Sequence, residues 1–577
     1  MQSLGQNLRV SSLKFVVVVL GVLIVSRLVD LQIIQYSHYR QLAFSEHQRK
    51  YEIPAARGQI YVKDGDNKVP LALNQTLKLV YADPSIMEDK ASAATKLAAV
   101  TGDPADKLLD ALNKGHEYAV LKTRVDEKMA AAITSLHLRG VGMVNQDYRT
   151  YPEGSLASQA LGFVNNDGDG QYGVEGFLNT ELKGNPGQLN AKTDTNGVPI
   201  ATTDNVIKQP TDGTGLVLTL DRNIQSQAET FLKQGVEEVK AESGSVVVLD
   251  PDTGAVKAMA NYPTYDPNDY TKVADYTTFS NSVVTNQFEP GSVFKVFTMA
   301  AGLDLGKVKP DSTYTDNGCE QVSGYKVCNA ENHHEGPNTT MTVVLRDSLN
   351  TGVMYILKLL GTDPNKITST SKQSFRSFIT DHFKFGKRTG IEQQGEASGY
   401  VPPPTSSDVT FANMSFGQGI STTMIQVAAA VGAIANGGKL YQPYVVAERD
   451  KADGSVQKTA PKVINPKVIS KQTATDLGNM MEVVVHHGSG YRAFTPGYKI
   501  AGKTGTAQIP NPNGPGYIEG VNIGSFAGFA PIEDPKFVVM VRVNKPKVAG
   551  FAESTTVPIF ANLTRWLLQY YAVPPSG

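Results

Sequence analysis

The sequence is poor in cysteine and tryptophan and has almost no net charge. Its 577 residues include two cysteines and one tryptophan, and the formal net charge is -1. Balanced charge gives no reason to expect nucleic-acid binding or long-range electrostatic steering. The sequence contains no tandem repeat and no low-complexity tract. Because the length exceeds what one ordinary core holds, we expect two or more domains.

Long apolar runs are also scarce, and the one that stands out lies near the N-terminus, at residues 13–34. As a helix rising ~1.5 Å per residue, it spans a hydrocarbon layer of ~30 Å. A cleaved signal peptide is the alternative, but no small-x-small cleavage site follows Val25. Arg9 and Lys14 lie on the N-terminal side, so we expect residues 1–12 in the cytoplasm and the main part of the chain outside it. The sequence predicts a single-pass membrane anchor.

The two cysteines flank a predicted hairpin turn at Ser323 and Gly324. A two-residue turn places Cys319 directly opposite Cys328, at a non-hydrogen-bonded pair with Cα atoms ~4.5 Å apart. That separation lies within disulfide range, so we predict a bridge that pins the hairpin. Two buried free thiols are the alternative.

Composition divides the remainder of the chain into three stretches. Residues 85–138 are rich in Ala, Leu, Lys and Glu, which predicts short helices separated by turns. Residues 187–215 are poor in large apolar side chains and rich in turn formers, which predicts hairpin arms or a linker. Beyond them, strand-like runs at both ends of one long region enclose helical sequence. This arrangement predicts an α/β domain with an antiparallel sheet flanked by helices.

The segment Glu-Pro-Gly-Ser-Val-Phe-Lys at residues 289–295 contains the candidate nucleophile. Pro-Gly before an apolar helical run places Ser292 at a helix N-terminus, where free N–H groups favour developing negative charge. Lys295 lies on the same helix face, and a neutral lysine amine can act as the base that a serine hydroxyl needs. Burial and a second cation both lower a lysine pKa. Ser-x-x-Lys occurs five times in the chain, but only Ser292 combines a preceding Pro-Gly with an apolar helix.

Two further motifs accompany this segment. Ser-x-Asn occurs once, after a predicted helix at residues 341–347, and consists of Ser348, Leu349 and Asn350. Lys-Thr-Gly also occurs once, with residues Lys503, Thr504, Gly505 and Thr506. An edge strand at this position accepts an extended substrate backbone, a glycine permits its close approach, and lysine and threonine hold a carboxylate. Taken singly, the two motifs are equally well a helix cap and a strand end.

In this order, the three motifs resemble those of penicillin-binding proteins and serine β-lactamases. The sequence is similar to the class B penicillin-binding proteins in particular. Further matches are Arg-Gly-Gln-Ile at residues 57–60, a pedestal signature at 149–187 and Gly-Gln-Gly at 417–419. The resemblance covers nearly the whole chain beyond the apolar run, and it favours the cell-division type over the elongation type. One departure is Leu349, which stands where the motif has aspartate.

The resemblance implies a fold and a set of catalytic roles. It implies an elongated α+β pedestal (dimerisation) domain at residues 50–214 and a penicillin-binding transpeptidase domain at 215–568, behind the anchor at 13–34. Ser292 would attack a D-alanyl-D-alanine carbonyl, and Lys295 would take its proton. Ser348 would relay a proton to the leaving D-alanine, and Lys503 would orient Ser348.

The resemblance also implies substrate-binding residues. Asn350 would bind the substrate backbone, Gly505 would let the substrate approach the strand, and Thr504 and Thr506 would bind the terminal carboxylate. The backbone N–H groups of Ser292 and Thr506 would form the oxyanion hole.

The implied function is a peptidoglycan D,D-transpeptidase that cross-links stem peptides and is inhibited by β-lactams. Implied partners are a polytopic membrane glycosyltransferase and other division proteins. Alternatives are an elongation-type transpeptidase, a D,D-carboxypeptidase and a β-lactam-sensing receptor. We predict no cofactor and no metal, because the two His-His pairs, at 333–334 and 486–487, have no third ligand at zinc-like spacing.

Overall fold

The chain divides into two compact units in its computed structural model. One unit combines residues 1–57 with 183–213, and the other combines residues 58–182 with 214–577. The described residues are 3–39, 48–192, 206–511, 514, 516–548 and 550–576. Part of the predicted linker, residues 193–205, lies outside them.

The smaller unit contains the apolar helix and a small sheet. The helix Ser3–Val29 continues as a π-helical turn, Asp30–Ile34. Within it, Ser11–Ile34 is long and apolar enough to cross a membrane, in agreement with the predicted run. The apolar side chains of this helix are exposed on all sides, as expected of a helix that does not pack against other protein segments. The sheet is antiparallel, with the strand order Gln48–Ile53, Gly187–Lys192, Val206–Lys208.

A seven-stranded sheet begins the larger unit. Its longest strand, Asn67–Ala82, pairs with three others: Ile60–Asp64, Ala119–Val125 and Val141–Thr150. Strand Ile60–Asp64 also runs parallel to Gly215–Asp221, which in turn pairs with Val446–Asp450, and Val456–Lys458 completes the sheet. The sheet therefore draws strands from both sides of the predicted boundary at residue 215, and that boundary stays a prediction.

The helical expectation for residues 85–138 is partly wrong. Three helices are present, at Lys90–Thr101, Ala105–Lys114 and Glu127–Thr134. Between the second and third, however, Ala119–Val125 is a strand. Both of its ends, Ala119 and Val125, are buried, and Val125 packs in the apolar cluster formed with the neighbouring helices and the long strand. Pairing with a distant strand overrides local composition here, and composition carries no signal of that partner.

A five-stranded antiparallel sheet organises the remainder of the larger unit. Its strand order is Val256–Tyr262, Ser243–Leu249, Phe537–Asn544, Tyr517–Ala530, Ala501–Pro510. In the second strand, Val246 and Val248 face one apolar cluster, whereas Val247 and Leu249 face another. Because successive strand residues point to opposite faces, this continuous apolar run indicates a sheet covered on both sides. The prediction of an antiparallel sheet flanked by helices is confirmed.

Helices cover both faces of this sheet. Arg222–Glu238 and Ala552–Tyr570 contribute to one cluster, and the buried helices Lys295–Asp304 and Met424–Ala435 contribute to the other. The other helices of eight or more residues in this part are Asn350–Leu359, Ser369–Ser377, Asp408–Ser415 and Lys471–His487. Short elements that matter below are the helix Met341–Arg346, the π-helical turn Phe378–His382, the hairpin Cys319–Val322/Tyr325–Cys328 and the strand pair Leu440–Tyr441/Val463–Asn465.

Candidate active site

Ser292 lies in a tight turn that leads into a buried helix, as predicted. Residues Gly291–Phe294 form a 3-10 turn, and the helix Lys295–Asp304 follows directly. Gly291 has φ +58°, a left-handed conformation that favours glycine. A Cβ there would also lie 3.0 Å from the carbonyl oxygen of Thr506. The glycine therefore permits both the turn and the close approach of the strand that contains Thr506.

A second glycine loop supports this turn from the other side. The Gly291 N–H donates to the carbonyl of Gly417 over 3.1 Å, and a Cβ on Gly417 would lie 2.1 Å from the Gly291 oxygen. The Gly419 N–H donates to the Glu289 carboxylate over 2.8 Å. The Gly-Gln-Gly segment, found in the sequence only as a family match, thus holds the backbone on which Ser292 lies.

Ser348 lies between two buried lysines. Lys503 Nζ donates to Ser348 Oγ over 3.1 Å, and Lys295 Nζ donates to the same oxygen over 3.2 Å. The Lys295 ammonium also donates to the Ser348 carbonyl. Lys295 is 1% exposed and Lys503 is 0% exposed. Three of the four predicted catalytic residues therefore meet through hydrogen bonds, although they are far apart in the chain.

Burial shifts both lysines toward neutrality, and the charge of Lys503 adds to the shift of Lys295. Burial, and then the positive charge of Lys503, holds the pKa of Lys295 well below its usual value. Burial lowers the pKa of Lys503 to about 7, although the charges of Glu553 and Asp347 oppose that shift. Desolvation disfavours an ammonium, and a second ammonium nearby disfavours it further. An amine that can accept a proton is therefore available near neutral pH, which is what general-base activation of a serine requires.

The loop of the second motif has a strained backbone and an apolar centre. Ser348 has φ +58°, which is uncommon for a residue with a side chain and persists only where the surroundings impose it. Leu349 is 0% exposed, packs in the core, and donates its N–H to the carbonyl of Val344. The departure from aspartate at this position thus has a structural reason, because the side chain faces the core.

The predicted hairpin braces this loop. Its register is the predicted one, with Cys319 opposite Cys328 and a turn at Ser323 and Gly324. The two sulfurs are bonded, and the cysteine Cα atoms lie 4.0 Å apart. Asn350 donates its side-chain N–H to the Cys328 carbonyl over 2.7 Å. The hairpin is therefore tied to the residue predicted to bind the substrate backbone.

Further contacts to this loop come from residues that sequence reasoning missed. The Asn329 side-chain oxygen accepts from the Thr351 N–H over 3.0 Å, and the Thr351 hydroxyl donates to Asp316 over 2.7 Å. Asn329 also donates to Asp316 over 3.0 Å. The only sequence signal for these residues is their proximity to one of the two cysteines or to the second motif.

The Lys-Thr-Gly segment lies on a sheet edge, as predicted. Strand Ala501–Pro510 pairs on one side only, with Tyr517–Ala530. A Cβ on Gly505 would lie 2.7 Å from the carbonyl oxygen of Pro290, so the absent side chain lets the strand pack against the Ser292 turn. The geometry thus brings the backbone of the candidate nucleophile, Ser292, next to an edge that can accept an extended peptide.

The two threonines of this segment already have protein partners. Thr504 Oγ1 lies 2.6 Å from Ser489 Oγ and accepts from Lys503 Nζ over 3.3 Å. Thr506 Oγ1 accepts the N–H of Ala552 over 3.2 Å. Ser489 is another residue that the sequence did not indicate. The predicted carboxylate contacts of both threonines stay predictions.

The fold and the site define a serine acyltransferase arrangement, and comparison with known proteins gives its family. The family described as penicillin binding protein transpeptidase domain matches residues 244–565, and the penicillin-binding protein dimerisation domain matches residues 52–218. The chain belongs to the penicillin-binding proteins and is a class B member. The predicted fold class, an α/β multidomain protein with an α+β pedestal and a transpeptidase domain, is thereby confirmed.

Individual relatives agree with this assignment. The chain is 32% identical to stage V sporulation protein D of Bacillus subtilis, over 97% of this chain and 85% of the relative. It is 30% identical to the peptidoglycan D,D-transpeptidase FtsI of Escherichia coli K12, over 92% of this chain and 86% of the relative. The crystal structure of penicillin binding protein 3 from Mycobacterium tuberculosis with aztreonam superposes with a TM-score of 0.70. At 29% identity, that match covers 91% of this chain and 98% of that one.

Proposed function

We propose that the chain is a peptidoglycan D,D-transpeptidase that cross-links stem peptides during septal cell-wall synthesis. The observation that carries the proposal is the Ser348 hydroxyl between Lys295 and Lys503, beside an edge strand packed on the Ser292 turn. The name of the Escherichia coli relative supports both the reaction and the division type.

In the proposed acylation, Ser292 Oγ attacks the carbonyl carbon between the two D-alanines, and the neutral Lys295 amine takes the hydroxyl proton. The proton passes through Ser348 to the nitrogen of the departing D-alanine as the C–N bond breaks. The product is an ester on Ser292. Backbone N–H groups of Ser292 and Thr506 would hold the oxyanion, where each donor is typically worth about 3 kcal/mol.

In the proposed second step, an amine of a neighbouring stem peptide attacks the ester. The amine gives a proton to the base as the new amide bond forms. The ester C–O bond breaks, and the base returns a proton to Ser292 Oγ, which restores the hydroxyl. The substrate would lie along the strand that contains Gly505, and its backbone would hydrogen-bond to the Asn350 side chain. Before acylation, the terminal carboxylate of the substrate would accept hydrogen bonds from the hydroxyl groups of Thr504 and Thr506, near the charge of Lys503. The Ala552 N–H could continue to donate to Thr506 Oγ1. A β-lactam would react at the same serine and leave a slowly hydrolysed ester.

The proposed setting is a cell membrane. The helix Ser11–Ile34 is the candidate anchor, with residues 1–12 in the cytoplasm and the transpeptidase domain at 215–568 outside it. Partners would be a polytopic glycosyltransferase, which supplies the glycan strands, and other division proteins. Carbonate extraction should leave the intact chain in the membrane fraction, and its release would contradict the anchor.

Labelling with a fluorescent penicillin tests the nucleophile. We expect wild type to be labelled covalently and Ser292→Ala to remain unlabelled, because the ester oxygen is removed. Ser369→Ala is the matched control, since it removes the serine of another Ser-x-x-Lys sequence whose serine is exposed. Labelling that survives in Ser292→Ala would remove that residue from its proposed role.

Product analysis on lipid-linked glycan strands tests the reaction type. Cross-linked peptide dimers are expected for a transpeptidase. Release of D-alanine without dimers would favour a D,D-carboxypeptidase, and acylation by penicillin without either product would favour a β-lactam-sensing receptor.

A further inference from the structure

A cavity of about 320 Å³ in the larger unit is lined by none of the motif residues. It lies between the segment that follows the π-helical turn, the helix Met424–Ala435 and the strand pair Leu440–Tyr441/Val463–Asn465. We propose that this cavity, here called the basic pocket, binds a small amphiphile that joins a phosphate group to an apolar body.

The floor of the basic pocket is apolar and largely preformed. Phe383 is 4% exposed and Leu440 is 3% exposed, and Ala429 and Ile464 extend the same surface. Hydrogen bonds join its walls: the Gln442 N–H donates to the Lys462 carbonyl over 2.8 Å. Apolar pockets of this size with a few fixed polar groups are the usual form of small-molecule sites.

The rim of the basic pocket is cationic. Lys384, Lys387, Arg388 and Lys462 line it, and no aspartate or glutamate does. Within the described part of the chain, none of these four side chains takes part in an ion pair. The Glu396 carboxylate, close in sequence, is engaged by Thr389 Oγ1 and by the Gly390 N–H over 2.5 and 3.0 Å.

Such a cluster selects for phosphate. Four like charges at one rim repel each other, and a multiply charged anion relieves that repulsion. The guanidinium fork of Arg388 matches phosphate oxygens in a bidentate geometry, and lysines add point charges. A carboxylate carries less charge and fewer acceptor oxygens. The floor below the rim then accommodates the apolar body of the ligand. A free inorganic ion would leave this floor uncovered.

The backbone beside the pocket has two features that recur at binding sites. The π-helical turn Phe378–His382 ends directly before the segment, and π-turns are frequent at functional sites. Lys384 has φ +64°, a left-handed conformation that costs energy for a residue with a side chain. Burial of Phe383 and Phe385 on either side holds that conformation and with it the path of Lys384.

One wall of the pocket belongs to a helix that is connected to the Ser292 segment. Gln426 and Ala429 contribute to this wall, and their helix Met424–Ala435 is capped by Thr423. The preceding residue, Thr422, exchanges two backbone hydrogen bonds with Phe288, of 3.0 and 2.9 Å. An occupant of the basic pocket would therefore contact the helix Met424–Ala435. The residue just before that helix cap, Thr422, is hydrogen-bonded to Phe288, which lies four residues before Ser292.

Calorimetric titration tests the site, using the full chain in nanodiscs of phosphatidylcholine with hexyl phosphate as the probe. We expect hexyl phosphate to bind more tightly than inorganic phosphate or hexanol, because only hexyl phosphate meets both rim and floor. The double variant Lys387→Glu/Arg388→Glu should weaken binding at least about tenfold. Lys128→Glu/Lys233→Glu, with the same change in net charge at exposed sites elsewhere, should bind like wild type.

Equal binding by the two double variants would overturn the proposal, as would equal binding of hexyl phosphate and hexanol. Retained labelling by fluorescent penicillin shows that each variant is folded. If the first double variant does not fold, Lys462→Ala, on another wall, should weaken binding, and unchanged binding there would equally overturn it. Displacement of the probe by phosphatidylglycerol vesicles would support a lipid headgroup as the occupant. Retained probe binding without displacement would support a soluble phosphate ester.

Discussion

Two Ser-x-x-Lys sequences in the same compact unit, at Ser292 and at Ser369, place their lysines in opposite surroundings. Lys295 is buried and its ammonium faces Ser348 and the charge of a second lysine. Lys372 Nζ instead donates to the Asp408 carboxylate over 3.0 Å and to the carbonyl of Ser406. The three-residue spacing places each lysine on the same helix face as its serine. The residues that surround each lysine determine whether its amine can lose a proton.

The difference between the two segments originates in the helices behind them. Residues 295–302 are all buried, so the helix that follows Ser292 is a core helix and takes its lysine into the core with it. The helix Ser369–Ser377 is largely polar, and Thr368 and Ser371 form a capping box at its N-terminus. The second segment therefore serves to begin a surface helix, and its lysine keeps a charged partner.

The largest expected effect comes from removing the buried lysine. We expect Lys295→Met to slow acylation by fluorescent penicillin about 10²–10⁴-fold, the usual contribution of a general base. Lys372→Met is the matched control and should acylate at nearly the wild-type rate. The measurement is the second-order rate constant of labelling, and equal losses in both variants would contradict the comparison.

The pH dependence of acylation sharpens the same comparison. A protonated Lys295 cannot accept the Ser292 proton, so the rate should rise as pH rises through the pKa of that lysine. Because the positive charge of Lys503 lowers the pKa of Lys295, Lys503→Met should raise that pKa and move the rise to higher pH. Stopped-flow labelling across a pH series measures the profile. A shift to lower pH would show that Lys295 is not the titrating group.

Two glycines with similar backbone angles allow the cost of backbone strain to be distinguished from the cost of a steric contact. Gly291 has φ +58° and Gly306 has φ +65°. Only at Gly291 would a Cβ approach a strand, 3.0 Å from the carbonyl oxygen of Thr506. Alanine in this conformation costs roughly 1–2 kcal/mol, so both Gly→Ala variants should unfold more easily in denaturant. Only Gly291→Ala should also slow penicillin labelling. Slower labelling in Gly306→Ala would mean that general instability explains the loss.

The smallest effect is expected at Asp408, the ion-pair partner of Lys372. Asp408→Asn removes the charge that pairs with Lys372, an ion pair that is 14% and 36% exposed on its two sides. Partly exposed pairs are typically worth less than about 1 kcal/mol, so the melting temperature should fall only slightly. Penicillin labelling should be unchanged, and its loss would show that the second segment influences the site.

Local patterns were sufficient for several elements of the fold. Pro-Gly before an apolar run predicted the turn at Ser292, and the two-residue turn at Ser323 predicted the hairpin register. Apolar length alone predicted the candidate membrane helix. Strand Ala119–Val125 was missed because its partner, the strand Asn67–Ala82, lies far away in sequence. Signals within a few residues predict what forms locally and are silent on distant pairing.

The amino-acid sequence by itself determined which residues are candidates for the chemistry, because serine, lysine and glycine are recognisable by type and spacing. Only the tertiary structure decided that Lys295, Ser348 and Lys503 share one hydrogen-bonded cluster, and that Thr504 bonds to Ser489. It also decided that Leu349 faces the core. The physical reason is that desolvation and charge proximity depend on what surrounds a side chain in space, and those neighbours come from distant parts of the chain.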